Sequence, residues 1–317
     1  MDVGTRLAAA PISWGVSEVP GWGHQLVPER VLGEMRSLGL TATELGPAGF
    51  LPGDPGERLA LLDRYGLTAI GGFVPVVLHE PDQDPLVLLE EAAGAFQTAH
   101  ARLMVLAADY GRVGYDSTSD LDDAAWRRLL GNLDRAAADL ANLGTTAALH
   151  PHVGTAVEAP DQVQRVLDGS AVPLCLDTGH YVIAGGDPAA LASAVPDRIV
   201  HVHLKDVDPS LAGKVRSGLA YTDAVRAGLF VPLGTGGARI AETVGALETS
   251  GYQGWYVIEQ DVQLDAEPEP GTGPVEAARM SLAFLGTLPA FDRPAERDRP
   301  APSPLAPGTK QRGGGRE

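Results

Sequence analysis

Four short apolar runs in this chain each close on side chains that bind divalent metals. They are Ala147-Ala148-Leu149-His150-Pro151-His152, Pro173-Leu174-Cys175-Leu176-Asp177, Ile199-Val200-His201-Val202-His203 and Trp255-Tyr256-Val257-Ile258-Glu259. Side chains two apart in a strand share a face, so His150 and His152 point one way, as do His201 and His203, with the later residue of each pair nearer the strand's outer end. His152, Asp177, His203 and Glu259 are therefore the expected ligands of one divalent ion. His150 and His201, one layer deeper, are expected to orient ligands or substrate through hydrogen bonds. Carboxylate mixed with imidazole and no thiolate admits magnesium, iron or zinc as well as manganese or cobalt, the two placed first. Unpaired carboxylates seldom end buried strands without a cation or donor nearby. The competing roles are a helix cap for Asp177 and a salt bridge to Lys205 or Arg239 for Glu259.

Other polar residues fall at similar run ends. Glu44 stands between apolar positions in Thr43-Glu44-Leu45, where desolvation would raise its pKa toward that of a general acid or base. Ser13 and Trp14, His79 and Glu80, and Lys205 and Asp206 follow further runs, and Gly179 opens a turn that presents His180. A small hydroxyl-rich ligand needs directed hydrogen bonds and a flat apolar wall, which Trp14 and Trp22 would supply. Other chemistries lack their signatures: no serine lies in a Gly-x-Ser-x-Gly elbow, and no Gly-x-x-x-x-Gly-Lys-Ser/Thr phosphate loop is present. The cluster Gly234-Thr235-Gly236-Gly237 does not follow a strand and open a helix, so it reads as loop punctuation.

The elements that must position these residues alternate. Strands are predicted near Leu7–Ser13, Thr41–Leu45, Thr68–Val74, Leu103–Ala107, Thr145–His150, Pro173–Asp177, Ile199–Leu204 and Trp255–Glu259. Helices are predicted over Pro28–Leu38, Glu57–Tyr65, Pro85–His100, Asp122–Leu143, Ala159–Leu167, Pro188–Val195, Ala238–Thr249 and Val275–Leu285. Pro28 suits a first helical turn and Asp120 a helix cap, while Gly39, Gly66 and Gly144 fall where helices stop. Eight strand–helix units predict a single-domain (β/α)8 TIM barrel over residues 1–292, with its catalytic groups at the strands' outer ends. The connection from Lys205 to Gly237 is long for an ordinary loop, holds a helix near Tyr221–Ala227, and is expected to cover the active site. Arg293–Glu317, rich in Pro, Gly and charge, is expected to be a disordered tail.

Composition narrows the partners. The chain has 317 residues, 44% of them hydrophobic, and no apolar run of about 18 residues that would span a bilayer. The N-terminus lacks the pattern of a signal peptide, and Cys175 is the lone cysteine, so a reducing, cytoplasmic setting is expected. A net charge of −17 repels phosphate backbones and argues against nucleic acid as a partner. A small polyhydroxylated carbonyl compound is the expected ligand, and a homo-oligomer is compatible with all of this.

The motifs Pro11-Ile12-Ser13-Trp14-Gly15, Glu18-Val19-Pro20-Gly21-Trp22-Gly23, Thr43-Glu44-Leu45-Gly46-Pro47, His150-Pro151-His152-Val153-Gly154-Thr155, Leu176-Asp177-Thr178-Gly179-His180, His201-Val202-His203-Leu204-Lys205-Asp206 and Gly228-Leu229-Phe230-Val231-Pro232-Leu233-Gly234 together resemble the inosose dehydratase branch of the xylose-isomerase-like barrels. The resemblance spans nearly everything but the tail. It implies a metal held by Asp177, His203 and Glu259, with His152 where many relatives carry Glu, and Glu158 as the other candidate. It also implies loss of water from a keto-inositol such as scyllo-inosose through an enediolate. Glu259 or Glu44 would act as base, His180 or His79 as acid, and Lys205 would stabilise the enolate. Ketose epimerisation or isomerisation, or elimination from a 3-keto-C-glycoside, would use the same groups.

Overall fold

In the computed structural model, which describes residues 6–291, the apolar runs form eight parallel strands that close on themselves. The strands β1 (Leu7–Ala9), β2 (Ala42–Glu44), β3 (Thr68–Val77), β4 (Leu103–Asp109), β5 (Thr146–Leu149), β6 (Leu174–Asp177) and β7 (Ile199–Leu204) follow in order round the barrel. Two short segments, β8 (Asp206–Val207) and β9 (Phe230–Val231), pair antiparallel outside it, and β10 (Trp255–Ile258) is the eighth barrel strand, between β7 and β1. Between them run α1 (Pro28–Ser37), α2 (Pro55–Tyr65), α3 (Pro85–Thr98), α4 (Asp123–Asn142), α5 (Pro160–Gly169), α6 (Thr178–Ile183), α7 (Pro188–Ala194), α8 (Pro209–Arg216), α9 (Tyr221–Arg226), α10 (Ile240–Thr249) and α11 (Pro274–Leu285).

The main core lies between strands and helices, where Val31, Leu32 and Met35 of α1 and Leu129, Leu133 and Ala136 of α4 are fully buried. This is the expected placement for the apolar stripe of an outer helix. Inside the barrel the side chains are small: Ala8, Ala10 and Ala42 cluster with Ile70 and Val257, and Ala148 with Val105 and Cys175. That narrow packing leaves width above it for the larger imidazoles. Buried Arg6 closes the lower seam, donating to Gly254 O at 2.9 Å and to Glu248 of α10 at 3.0 Å.

The tail expected over 293–317 lies outside the described residues. Within them, the first strand is shorter than predicted, because Pro11–Trp14 coil into a 3-10 turn. Asp122 rather than Asp120 caps α4, its carboxylate accepting from Ala125 N at 2.7 Å. The short helices α6 and α8 and the β8–β9 ribbon carry too little periodicity to be read from sequence. No helix among the described residues is long and apolar enough to cross a membrane.

Asp206 does not face substrate; it pins the long connection after β7. One carboxylate oxygen accepts from Gly234 N and Gly236 N, each at 2.9 Å, and the other from Ala238 N at 2.8 Å and Val207 N at 3.0 Å. The glycine cluster thus encircles an anion after all, one supplied by the chain itself. A Cβ at Gly236 would lie 2.4 Å from Val207 O and 2.5 Å from the Asp206 carboxylate, which explains the glycine there. Asp206→Ala removes the acceptor of four backbone N–H groups, those of Val207 and Ala238 being buried. It is expected to lower stability by about 2–4 kcal/mol, a fall in Tm of roughly 5–10 °C in a thermal melt.

Candidate active site

Donor atoms of His150, Asp177, His203 and Glu259 lie within 4.8 Å of one another at the C-terminal ends of β5, β6, β7 and β10, all four residues buried. Register sets this up: Asp177 pairs with His203 across β6–β7, and His203 with Val257 across β7–β10, two residues before Glu259. His150 takes the position expected for His152. β5 ends at Leu149, so the two-residue alternation no longer governs the chain past Pro151. His152 Nδ1 instead lies 2.7 Å from Val153 O, and its ring stacks on His180 with centroids 3.8 Å apart. His150 Nδ1 meets Pro151 O at 3.0 Å, which leaves Nε2 for the cluster, 3.7 Å from Asp177 Oδ2.

Asp177 caps a helix with one oxygen and leaves the other to the cluster. Oδ1 caps α6 by accepting from His180 N at 2.8 Å, while buried Oδ2 makes no hydrogen bond and lies 3.8 Å from His203 Nδ1, another buried atom without one. Two unsatisfied, buried, converging donor atoms fit a cation. The mixed imidazole–carboxylate set likewise suits a divalent ion. Glu44 orients this set from behind. Its Oε1 is 2.8 Å from His201 Nε2 and 2.9 Å from His203 Nε2, which turns His203 Nδ1 toward Asp177 and Glu259. A register shift between Thr43 and Glu44 helps aim that carboxylate inward. His201 therefore holds Glu44, and does not reach the cavity. Its layer also brings Cys175 close, a thiol that burial pushes up to about 11 and so keeps neutral.

Lys205 is the cluster's cation. Its Nζ lies 2.8 Å from both Glu259 Oε2 and Asp261 Oδ1, 3.3 Å from Asp177 Oδ2 and 3.2 Å from His180 Nε2. Gly179 permits the approach, since a Cβ there would sit 2.9 Å from the Lys205 side chain. Burial would lower the Lys205 pKa, but the carboxylates of Asp177, Asp261 and Glu259 outweigh it and hold it well above the usual value. Burial would raise Glu44, yet the charge on His203 and hydrogen bonds from His201 and His203 bring it to about 2, opposite to the direction expected from sequence. Burial pushes Asp177 up to about 6 against the pull of Lys205. For Glu259, burial is overcome by His203 and Lys205, so it stays well below the carboxylate range. Burial and Lys205 push His152 down to about 3, and burial with neighbouring imidazole charge also holds His150 and His180 neutral.

A cavity of about 510 Å³ opens over this cluster, lined at the site by Glu18, Trp22, Tyr115, His152, Lys205, Tyr221, Glu259 and Asp261. Trp22 lines it as expected, but Trp14 is fully buried and spends its indole N–H on Glu34 at 2.9 Å. Ser13 is also internal: its hydroxyl links Ile258 O to Gln260 N and ties β1 to β10. His79 and Glu80 pair with each other at 3.3 Å beside Tyr110, away from the cavity, because β3 ends at Val77 and the chain turns outward. Glu158 accepts from Gly154 N and stays out of the donor set. Sequence reasoning missed Glu18, Tyr115, Tyr221 and Asp261. Tyr115 donates to Glu18 at 2.6 Å and Tyr221 to Asp261 at 2.5 Å, contacts between loops far apart in the chain. Tyr221 and Phe230, whose ring centroid is 5.0 Å from Lys205 Nζ, come from the long connection after β7, which does cover the site.

A closed parallel barrel with converging imidazoles and carboxylates at its C-terminal mouth defines a TIM barrel with a candidate metal centre. The chain belongs to the xylose isomerase-like TIM barrel family, whose profile matches residues 32–286. It is 34% identical over 304 residues to the rhizopine catabolism protein MocC of Rhizobium meliloti, covering 90% of this chain and 93% of that protein. It is 31% identical to an inosose dehydratase of Geobacillus kaustophilus, covering 89% and 94%. Among solved structures, an L-ribulose 3-epimerase has a TM-score of 0.66 at 16% identity, covering 90% of this chain and 94% of that one. The IolI protein with a bound zinc atom has a TM-score of 0.65 at 14% identity, covering 89% and 97%.

Glu44→Gln keeps the shape of the group behind His203 but removes its charge. Mn²⁺ affinity measured by calorimetry is expected to fall about 10–100-fold.

Proposed function

We propose that the protein is a divalent-metal-dependent dehydratase that removes water from a keto-inositol such as scyllo-inosose. The observation that carries this reading is the convergence of His150, Asp177, His203 and Glu259 beside Lys205 at the floor of the cavity. Similarity over nine-tenths of the chain to proteins named inosose dehydratase supports it.

The four converging residues would hold the ion. A divalent cation there supplies Lewis acidity, polarising a ketone oxygen so that the neighbouring C–H becomes acidic, an effect worth roughly several kcal/mol. Glu259 accepts the C–H proton, since it lines the cavity and its carboxyl is ionised. Lys205 places an ammonium beside the oxygen on which negative charge grows, and the buried setting strengthens that attraction. The departing hydroxyl takes its proton from Glu18. Glu18 reaches into the cavity, where burial raises its carboxyl against the hydrogen bond from Tyr115. Glu44 is held by His201 and His203, His180 meets Lys205, and His79 lies elsewhere; we therefore assign the substrate protons to Glu259 and Glu18.

Mn²⁺-loaded protein with scyllo-inosose is expected to generate the ultraviolet absorbance of a conjugated diketone enol, and EDTA to abolish it. Lys205→Met should reduce kcat/KM by about 10²–10³. An isomeric ketose appearing in place of that absorbance would overturn the dehydratase reading in favour of isomerisation.

A further inference from the structure

The cavity does not end at the metal-ligating cluster. Past Glu44 it continues beyond the end of β2, beside β3 and over α3, along a wall of Leu45, Pro47, Leu51, Leu88, Ala92 and Phe96. Among the described residues lining this arm, Arg58 alone is charged, and its guanidinium is already used. Nε donates to Pro52 O at 3.0 Å, Nη1 to Ala95 O at 3.1 Å and Nη2 to Gly53 O at 3.2 Å. None of those described residues brings a hydroxyl or amide side chain to the arm.

The two ends therefore differ in kind. A polyhydroxylated ring needs directed partners on every side, and Glu18, Tyr115, Lys205, Tyr221, Glu259 and Asp261 provide them at the site end. The arm offers such a ring nothing. Leu88 on its wall is 47% exposed and its neighbour Val87 is 70% exposed, so apolar surface stands open at the outer end of a cavity that holds polar chemistry at the inner end. The full volume of about 510 Å³ falls in the range of roughly 300–1,000 Å³ that encloses ligands larger than one sugar-sized ring.

We infer that the substrate is a keto-cyclitol or keto-sugar bearing an uncharged apolar substituent, an alkyl or aryl ether, with the ring over the candidate metal centre and the substituent along this arm. The inference rests on the proposed site for the ring and adds the substituent's chemistry.

Calorimetry on the full chain loaded with Mn²⁺ tests it, comparing scyllo-inosose with its O-methyl, O-propyl and O-benzyl ethers at each ring position. For one regioisomer, Kd is expected to tighten about fourfold per added methylene. Ala92→Phe narrows the arm and should erase the advantage of benzyl over methyl. Ala95→Phe, at an exposed position that folding tolerates, should reduce the same ratio. Equal or weaker binding of every ether overturns the inference. Ether gain without water loss from any ligand would leave the arm standing and sink the dehydratase reading. Water loss from the ketone without ether gain would do the reverse, and failure of every ligand to bind would remove both.

Discussion

Glu44, Asp177, Glu259 and Asp261 bury four carboxylates together at the mouth of the barrel, and the rest of the site depends on how that charge is answered. A buried carboxylate without a partner is strongly unfavourable. Lys205 answers three of the four directly, while His203, drawn between Glu44 and Glu259, is held well above the ordinary imidazole range because those two carboxylates outweigh its burial. A divalent cation held by this cluster would take the place of a proton on His203 Nδ1, which faces Glu259, and would leave the Glu44 contact to Nε2 in place.

The fold serves this arrangement by being small below and rigid behind. Alanines fill the barrel interior below, and the imidazoles one layer up meet at centroid distances of 5.1 to 5.4 Å around His150. Thr178 accepts from Lys205 N and donates to Lys205 O, fixing the backbone from which the ammonium extends. Two register shifts, at Thr43/Glu44 and Leu174/Cys175, fall on the strands that carry Glu44 and Asp177.

Much of this was legible in the sequence because apolar runs that close on ligating residues leave a pattern. The eight strands, most helices and the Asp177–His203–Glu259 grouping could be read from it. What failed to be legible has physical causes. Proximity to a strand end does not fix direction: Ser13 and Trp14 curl into a 3-10 turn and point into the core, and His79 and Glu80 come after a strand that has already turned away. Pro151 ends the alternation that placed His152 among the ligands. The Glu44 pKa was misjudged in direction because its two imidazole partners lie 157 and 159 residues away in the chain. Glu18, Tyr115, Tyr221 and Asp261 sit outside the barrel strands and meet only through tertiary contacts.

In barrels of this architecture, the loops following the seventh and eighth strands frequently cradle a substrate's phosphate in backbone N–H groups. Here the loop after β7 has closed its own cradle on Asp206. A phosphate group approaching that side would find those N–H donors already taken by a carboxylate of the chain itself.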